Sequence, residues 1–262
     1  MRDMIQKELE KIQKKEERFL SESKKEKTGT IQELTEKIEK KIPSKLKETL
    51  DTAFYKGFYL IFEKGTAVVE KSFKGEEMAL EFKVNDFRVD QSPTRRSLKK
   101  MDRLAGKSKS LNSAITTVEG AGLGLLGIGL PDIPVFMGML MKGIYETAVG
   151  YGFDYTKEKE RVLILRMIYT ALAPEEERRQ ADLWVEDWIS HMEEPDVAYD
   201  FDEEVREAAS ALSFSMMTAK FVQGLPVVGV VGGVTNLMTY RRIIGYAALK
   251  YKKRYLRKKR KE

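Results

Sequence analysis

Apolar residues recur three and four positions apart along most of this chain, the spacing that lays a single stripe along an α-helix. In the Lys- and Glu-rich first fifty residues the stripe runs Ile5, Leu9, Ile12 and then Ile31, Leu34, Ile38, Ile42. Residues Lys24 to Thr30 interrupt it, with Gly29 as the break. Residues 1–42 therefore read as a charged amphipathic arm, either solvated or paired with a partner helix as in a coiled coil. Pro43 opens a second helix, whose broad face carries Leu46, Leu50, Ala53, Phe54, Gly57, Phe58, Ile61, Phe62 and Gly65. Met78, Phe82, Val84 and Phe87 mark a shorter amphipathic piece, and Ser92-Pro93 signals the start of a helix expected to reach about Val118.

The second half continues the pattern. A helix is expected from Ile133 to about Val149, ended by Gly150 and Gly152, with Asp132 placed to cap its first turn. Thr156 reads as the cap of the next helix, which carries Val162, Leu163, Leu165, Ile168 and Tyr169. Pro174-Glu175-Glu176-Glu177 is an acid-rich helix start. Behind it runs a stripe of Ala181, Trp184, Val185, Trp188 and Met192, broken at Glu194-Pro195. Asp202-Glu203-Glu204 opens a further helix. From Phe221 to Tyr240 no residue is charged, about the length needed to cross hydrocarbon. Four glycines, Pro226, Gln223 and Asn236 dilute it, so a buried or interfacial hairpin is expected rather than a span.

Two glycine-rich apolar segments stand out, Gly120–Pro134 and Gly224–Gly233, and both contain Gly-Leu-Pro. Gly120 and Gly124 are four apart, as are Gly229 and Gly233; such pairs let helix backbones approach closely, in a soluble core or in a membrane. Gly122-Leu123-Gly124-Leu125-Leu126-Gly127 fits the dinucleotide-binding string. Its flanks read as helix and then proline, the wrong context for that motif. No P-loop sequence occurs.

Charge adds a second theme. The net charge is +6, yet Arg241 to Glu262 holds eleven cations and one acid, so that end is +10 and the rest is −4. A mildly acidic body with a basic end suits docking on an anionic surface and disfavours a nucleic-acid binder. Lys252, Lys253, Arg254, Arg257 and Lys258 are the candidate contacts. The chain has no cysteine, which removes disulfides, thiol catalysis and thiolate metal sites. His191 is the only histidine, no G-x-S-x-G elbow accompanies it, and the acids near Glu193 and Asp200 lack a calcium-loop pattern. The first residues, Met1 to Glu8, alternate charges and lack the apolar core of a signal peptide. No nucleophile–base constellation is legible and no cofactor is implied. A membrane-surface hydrolase using Asp132 or another carboxylate stays open as the enzymatic alternative.

The blocks Gly127-Ile128-Gly129-Leu130-Pro131-Asp132-Ile133-Pro134, Tyr151-Gly152-Phe153-Asp154 and Glu160-Arg161 resemble the EcsC family. So does Leu225-Pro226-Val227-Val228-Gly229-Val230-Val231-Gly232-Gly233-Val234-Thr235-Asn236. The resemblance spans about residues 45–250, with the arm and the basic end outside its motifs. Read from the residues themselves, Gly120, Gly124, Gly127, Gly129, Gly229 and Gly233 are the candidate lipid- or partner-contacting positions, beside the five tail cations. Pro131, Asp132, Pro134 and Asn236 are the structural motif residues of the resemblance. The family takes its name from a bacterial locus that also encodes an ABC transporter, and no catalytic residue or cofactor comes with the resemblance. The expectation is thus an all-α multi-helix bundle built around two glycine-rich apolar helical hairpins, with a helical arm over 1–42, a helical domain over 43–249 and a basic tail over 250–262. The expected role is a cytoplasmic accessory protein, peripheral to the inner face of the membrane, bound to anionic lipid or to an integral protein such as a transporter subunit.

Overall fold

The computed structural model describes residues 2–21, 43–65, 69, 73–106, 132–222 and 233–261. Among the described residues the regular structure is entirely helical: α1 (Arg2–Leu20), α2 (Ser44–Leu60), α3 (Gly75–Gln91), α4 (Arg95–Ala105), α5 (Asp132–Gly150), α6 (Glu158–Leu172), α7 (Glu175–His191), α8 (Phe201–Val222) and α9 (Gly233–Lys261). A π-turn over Ile61–Gly65 extends α2. No helix among them is long and apolar enough to cross a membrane. Both glycine-rich hairpins, and with them Gly120, Gly124, Gly127, Gly129, Pro131 and Gly229, lie outside the described residues. Gly233 and Asn236 fall in the first turn of α9 and Asp132 begins α5, while Pro134 is buried one turn into α5.

The predicted stripes form the core. On α2 the residues Ala53, Phe54, Gly57 and Phe58 are buried, followed by Ile61 and Phe62. The most apolar helix, α5, buries Phe136, Met137, Leu140, Met141, Ile144 and Tyr145 against α9, α2, α3 and α4. Burying a side chain of that size contributes about 1.5–3 kcal/mol. α6 lies between α7, α8 and α9, and α8 closes the bundle against α2. α1 is an integral element: it packs on α9 and α7, with Ile5 and Ile12 in the core.

The helix ends follow local chemistry. α4 starts three residues after Ser92, where Thr94 and Ser97 form a capping box and Ser97 Oγ also donates to the Ser92 carbonyl. It ends at Ala105, and the remainder of the expected run to about Val118 lies outside the described residues. α5 ends in a Schellman arrangement: Phe153 N–H donates to the Ala148 carbonyl and Gly152 N–H to that of Val149. Gly152 has φ +79°, and a Cβ there would strike the Phe82 ring at 2.2 Å, so only glycine fits. Thr156 does not cap α6. Its hydroxyl and N–H both donate to Asp154 Oδ1, and Lys157 takes the N-cap position with no side-chain bond. At α8, Asp200 Oδ1 accepts from the Asp202 and Glu203 N–H groups, two residues before the acids read from sequence.

Candidate functional site

The basic C-terminal end is the second half of α9, a continuous 29-residue helix, and not a separate tail. Tyr251, Tyr255 and Leu256 are buried along it. Cations project on several sides, and on most of them a neighbouring helix supplies an acid. Lys252 meets Asp102 at 2.7 Å and Glu8 at 3.2 Å. Lys253 pairs with Glu16 and Glu186. Arg254 grips Glu160 through two hydrogen bonds and reaches Glu193. Arg257 donates to Glu186 at 2.7 Å. Of the five tail cations singled out from sequence, Lys258 is exposed and the other four are half-buried.

The deepest part of this network is a hub around Lys250, which is 1% exposed. Its Nζ stands 2.5 Å from Glu16 Oε1, 2.6 Å from Asp182 Oδ1 and 2.5 Å from Glu186 Oε1. Asp182 and Glu186 are one turn apart on α7, Glu16 comes from α1, and Tyr246 Oη donates to Asp182 at 2.6 Å. With Lys253 and Arg257 added, three carboxylates face three cations. The three acids could supply oxygens within 4.8 Å of one another, a spacing a metal ion accepts. The Lys250 ammonium already stands among those oxygens, so an ion would have to displace a buried lysine. Burial alone would raise the Glu186 pKa, but Lys250 and Lys253 hold it down to about 2. Burial likewise opposes the charge on Lys250, and the surrounding Glu16, Glu186 and Asp182 outweigh it and raise its pKa. Glu160 goes the other way: burial pushes its carboxyl above the ordinary range despite Arg254. This is an ionic clamp joining α1, α6, α7 and α9, closed by its own countercharges.

His191 sits exposed at the end of α7 beside Asp187. The two tryptophans do not share an environment. Trp188 is buried, its indole N–H donating to the Lys159 carbonyl and its ring under the Arg166 guanidinium, whereas Trp184 is half exposed.

An open charged surface lies elsewhere, on α4. Ser97, Leu98, Met101, Leu104 and Ala105 are buried, and Arg95, Arg96, Lys99, Lys100 and Arg103 are all exposed on the opposite side. Among the described residues no ion pair holds any of these five. Their neighbour Asp102 turns to Lys252 and to the Tyr151 hydroxyl. The α4 residues spaced as 95, 96, 99, 100 and 103 were a legible i, i+4 basic stripe, overshadowed in the sequence by the denser run at the chain end. Beside α4, α3 exposes Leu80, Val84 and Phe87 at 65%, 45% and 64%. Met78, Phe82, Val84 and Phe87, grouped by sequence into one amphipathic piece, separate in the fold. In the structure Met78, Asn85 and Val89 are the buried residues of α3.

The sequence profile of the EcsC protein family matches residues 5–256, and the chain belongs to that family. The match takes in α1 and α9 to Leu256, beyond the blocks that carried the resemblance. The chain is similar to Protein EcsC of Bacillus subtilis (strain 168), 24% identical over 204 residues that cover 77% of this chain and 78% of that one. It is also similar to Uncharacterized protein YdbA of the same organism, 28% identical over 169 residues, 62% of this chain and 60% of the relative. No solved structure matches.

Proposed function

We propose that this EcsC-family protein is a non-catalytic accessory protein that docks on the cytoplasmic face of a membrane through anionic headgroups. The observation that carries this reading is the α4 face, five exposed cations with no intramolecular partner among the described residues. A cation near an anionic bilayer contributes about 1 kcal/mol, so five are enough to hold a protein at a surface without a spanning helix. The densest group of ionisable side chains speaks for structure rather than chemistry, because the Lys250 hub is buried and its charges balance. The mixed charge of the body, with acids on most helices, fits poorly with a nucleic-acid backbone.

The test is co-sedimentation of the purified protein with vesicles. Binding is expected to vesicles containing phosphatidylglycerol or phosphatidylserine, not to pure phosphatidylcholine, and to fade as salt shortens the screening length to about 3 Å near 1 M. Equal recovery with both vesicle types would contradict the electrostatic reading. Recovery with cell membranes but with no protein-free vesicle would replace lipid by an integral partner such as a transporter subunit.

A further inference from the structure

Resting on that reading, we infer that the α3–α4 hairpin is the docking face itself, with Leu80, Val84 and Phe87 entering the headgroup–acyl boundary of an anionic bilayer while the α4 cations meet the phosphates. The three apolar residues are spaced i, i+4 and i+7, which places them on one line along α3. They are among the most exposed large hydrophobic side chains described in the molecule. α3 and α4 pack on each other and both pack on α5, so their outward faces are neighbours. A composite of a Phe/Leu stripe and a Lys/Arg face is the chemistry of an interfacial membrane helix.

The charge pattern around the stripe points to the same occupant. From Lys83 to Arg103 the sequence holds seven cations and three acids. Each acid is drawn to α9: Asp86 and Asp90 to Lys259 at 3.0 and 2.6 Å, Asp102 to Lys252 at 2.7 Å. Lys83 and Arg88 stay exposed beside the stripe and extend the α4 series. Glu76, Glu77 and Glu81 are exposed as well, within one helical turn of Leu80 and Val84, and Glu77 is taken by Lys74. The C-terminal lysines thus neutralise Asp86, Asp90 and Asp102 and leave α4 and the C-terminal half of α3 positive, while the acids beside Leu80 mark the N-terminal half. A second copy of this chain is a poor occupant, because a face-to-face pair would oppose two such cationic surfaces across only three apolar side chains each. A nucleic acid would leave the apolar stripe without a partner.

The absence of cysteine makes the test direct. Leu80→Cys, Phe87→Cys and, on the α9 end, Lys258→Cys are each labelled with an environment-sensitive fluorophore and mixed with phosphatidylglycerol vesicles and with phosphatidylcholine vesicles. The labels at positions 80 and 87 are expected to shift to the blue on the anionic vesicles alone, and the label at 258 to stay as in water. In the unlabelled protein, Leu80→Ser with Phe87→Ser is expected to weaken binding by roughly tenfold or more, from the lost burial of two large side chains, with its salt dependence unchanged. Sedimentation of all labelled variants with anionic vesicles while the labels at 80 and 87 stay water-like would overturn the insertion of α3 and leave membrane docking standing. Failure of the wild-type chain to sediment with any vesicle would overturn both. A shift driven by RNA or by protein concentration in place of vesicles would overturn the lipid assignment.

Discussion

Lys250 is a buried cation whose removal would leave three crowded carboxylates to Lys253 and Arg257 alone, and would take from Asp182 the cation it faces. Breaking a buried pair by deleting one partner typically costs about 3–5 kcal/mol. Lys250→Met is therefore expected to lose about that much in urea unfolding, whereas Lys258→Met, on the exposed side of the same helix, is expected to change little. Glu186 adds a pH signature. Its folded pKa is depressed to about 2, so its contribution is present above the unfolded value of about 4.5 and is lost as pH falls toward about 2. Lys250 has a raised pKa, so its contribution is complete below about 10.5 and is lost only above that. The stability gap between wild type and Glu186→Gln should hold at neutral pH, narrow below about pH 4.5 and close only near pH 2 and below. A gap that stays constant would mean that Glu186 acts through shape and not charge.

At the scale of elements, the two glycines best tested by substitution lie in described helices rather than in the glycine-rich segments. A Cβ on Gly150 would stand 2.4 Å from the Ala105 Cα, a backbone atom that cannot swing aside, because the end of α5 crosses the end of α4 there. Gly245 in α9 has open space around its Cβ position. Gly150→Ala is expected to destabilise by about 1–3 kcal/mol, the range for overpacking. Gly245→Ala is expected to stabilise by about 0.5–1 kcal/mol, the helix-propensity difference. Thermal unfolding of the pair decides it, and equal shifts would mean that α4 and α5 do not meet as described. The elements themselves were largely legible, since periodicity and capping chemistry are local: α2, α5, α6, α7 and α8 fall close to where spacing, Pro174 and Asp202 placed them. The face of α3 was not. Val84 and Phe87 look like core residues by type, and only the position of α5 decides which side of α3 is covered.

For the whole molecule, composition gave the right sum and misdirected its location. A +10 segment reads as a free basic surface when the partners of its charges are far away in sequence. In the fold Glu8, Asp86, Asp102, Glu160 and Glu186 come from five different helices to meet it. Local spacing carries no trace of such long-range pairing. The five cations of α4 stay open, as does Lys258 at the end of α9, and the acid of α4 itself is taken by α9. The central claim is that the C-terminal cations hold the fold together while the α3–α4 hairpin meets the membrane. Its most direct test compares two triple variants of equal charge change, Arg95→Gln/Lys99→Gln/Arg103→Gln on α4 and Lys258→Gln/Arg260→Gln/Lys261→Gln at the end of α9, in the same co-sedimentation with anionic vesicles. At about 1 kcal/mol per cation near the surface, the α4 variant is expected to bind roughly 10- to 100-fold more weakly with its thermal unfolding unchanged, and the α9 variant close to wild type. Loss of binding in the α9 variant with retention in the α4 variant would contradict the claim and return the docking role to the C-terminal end.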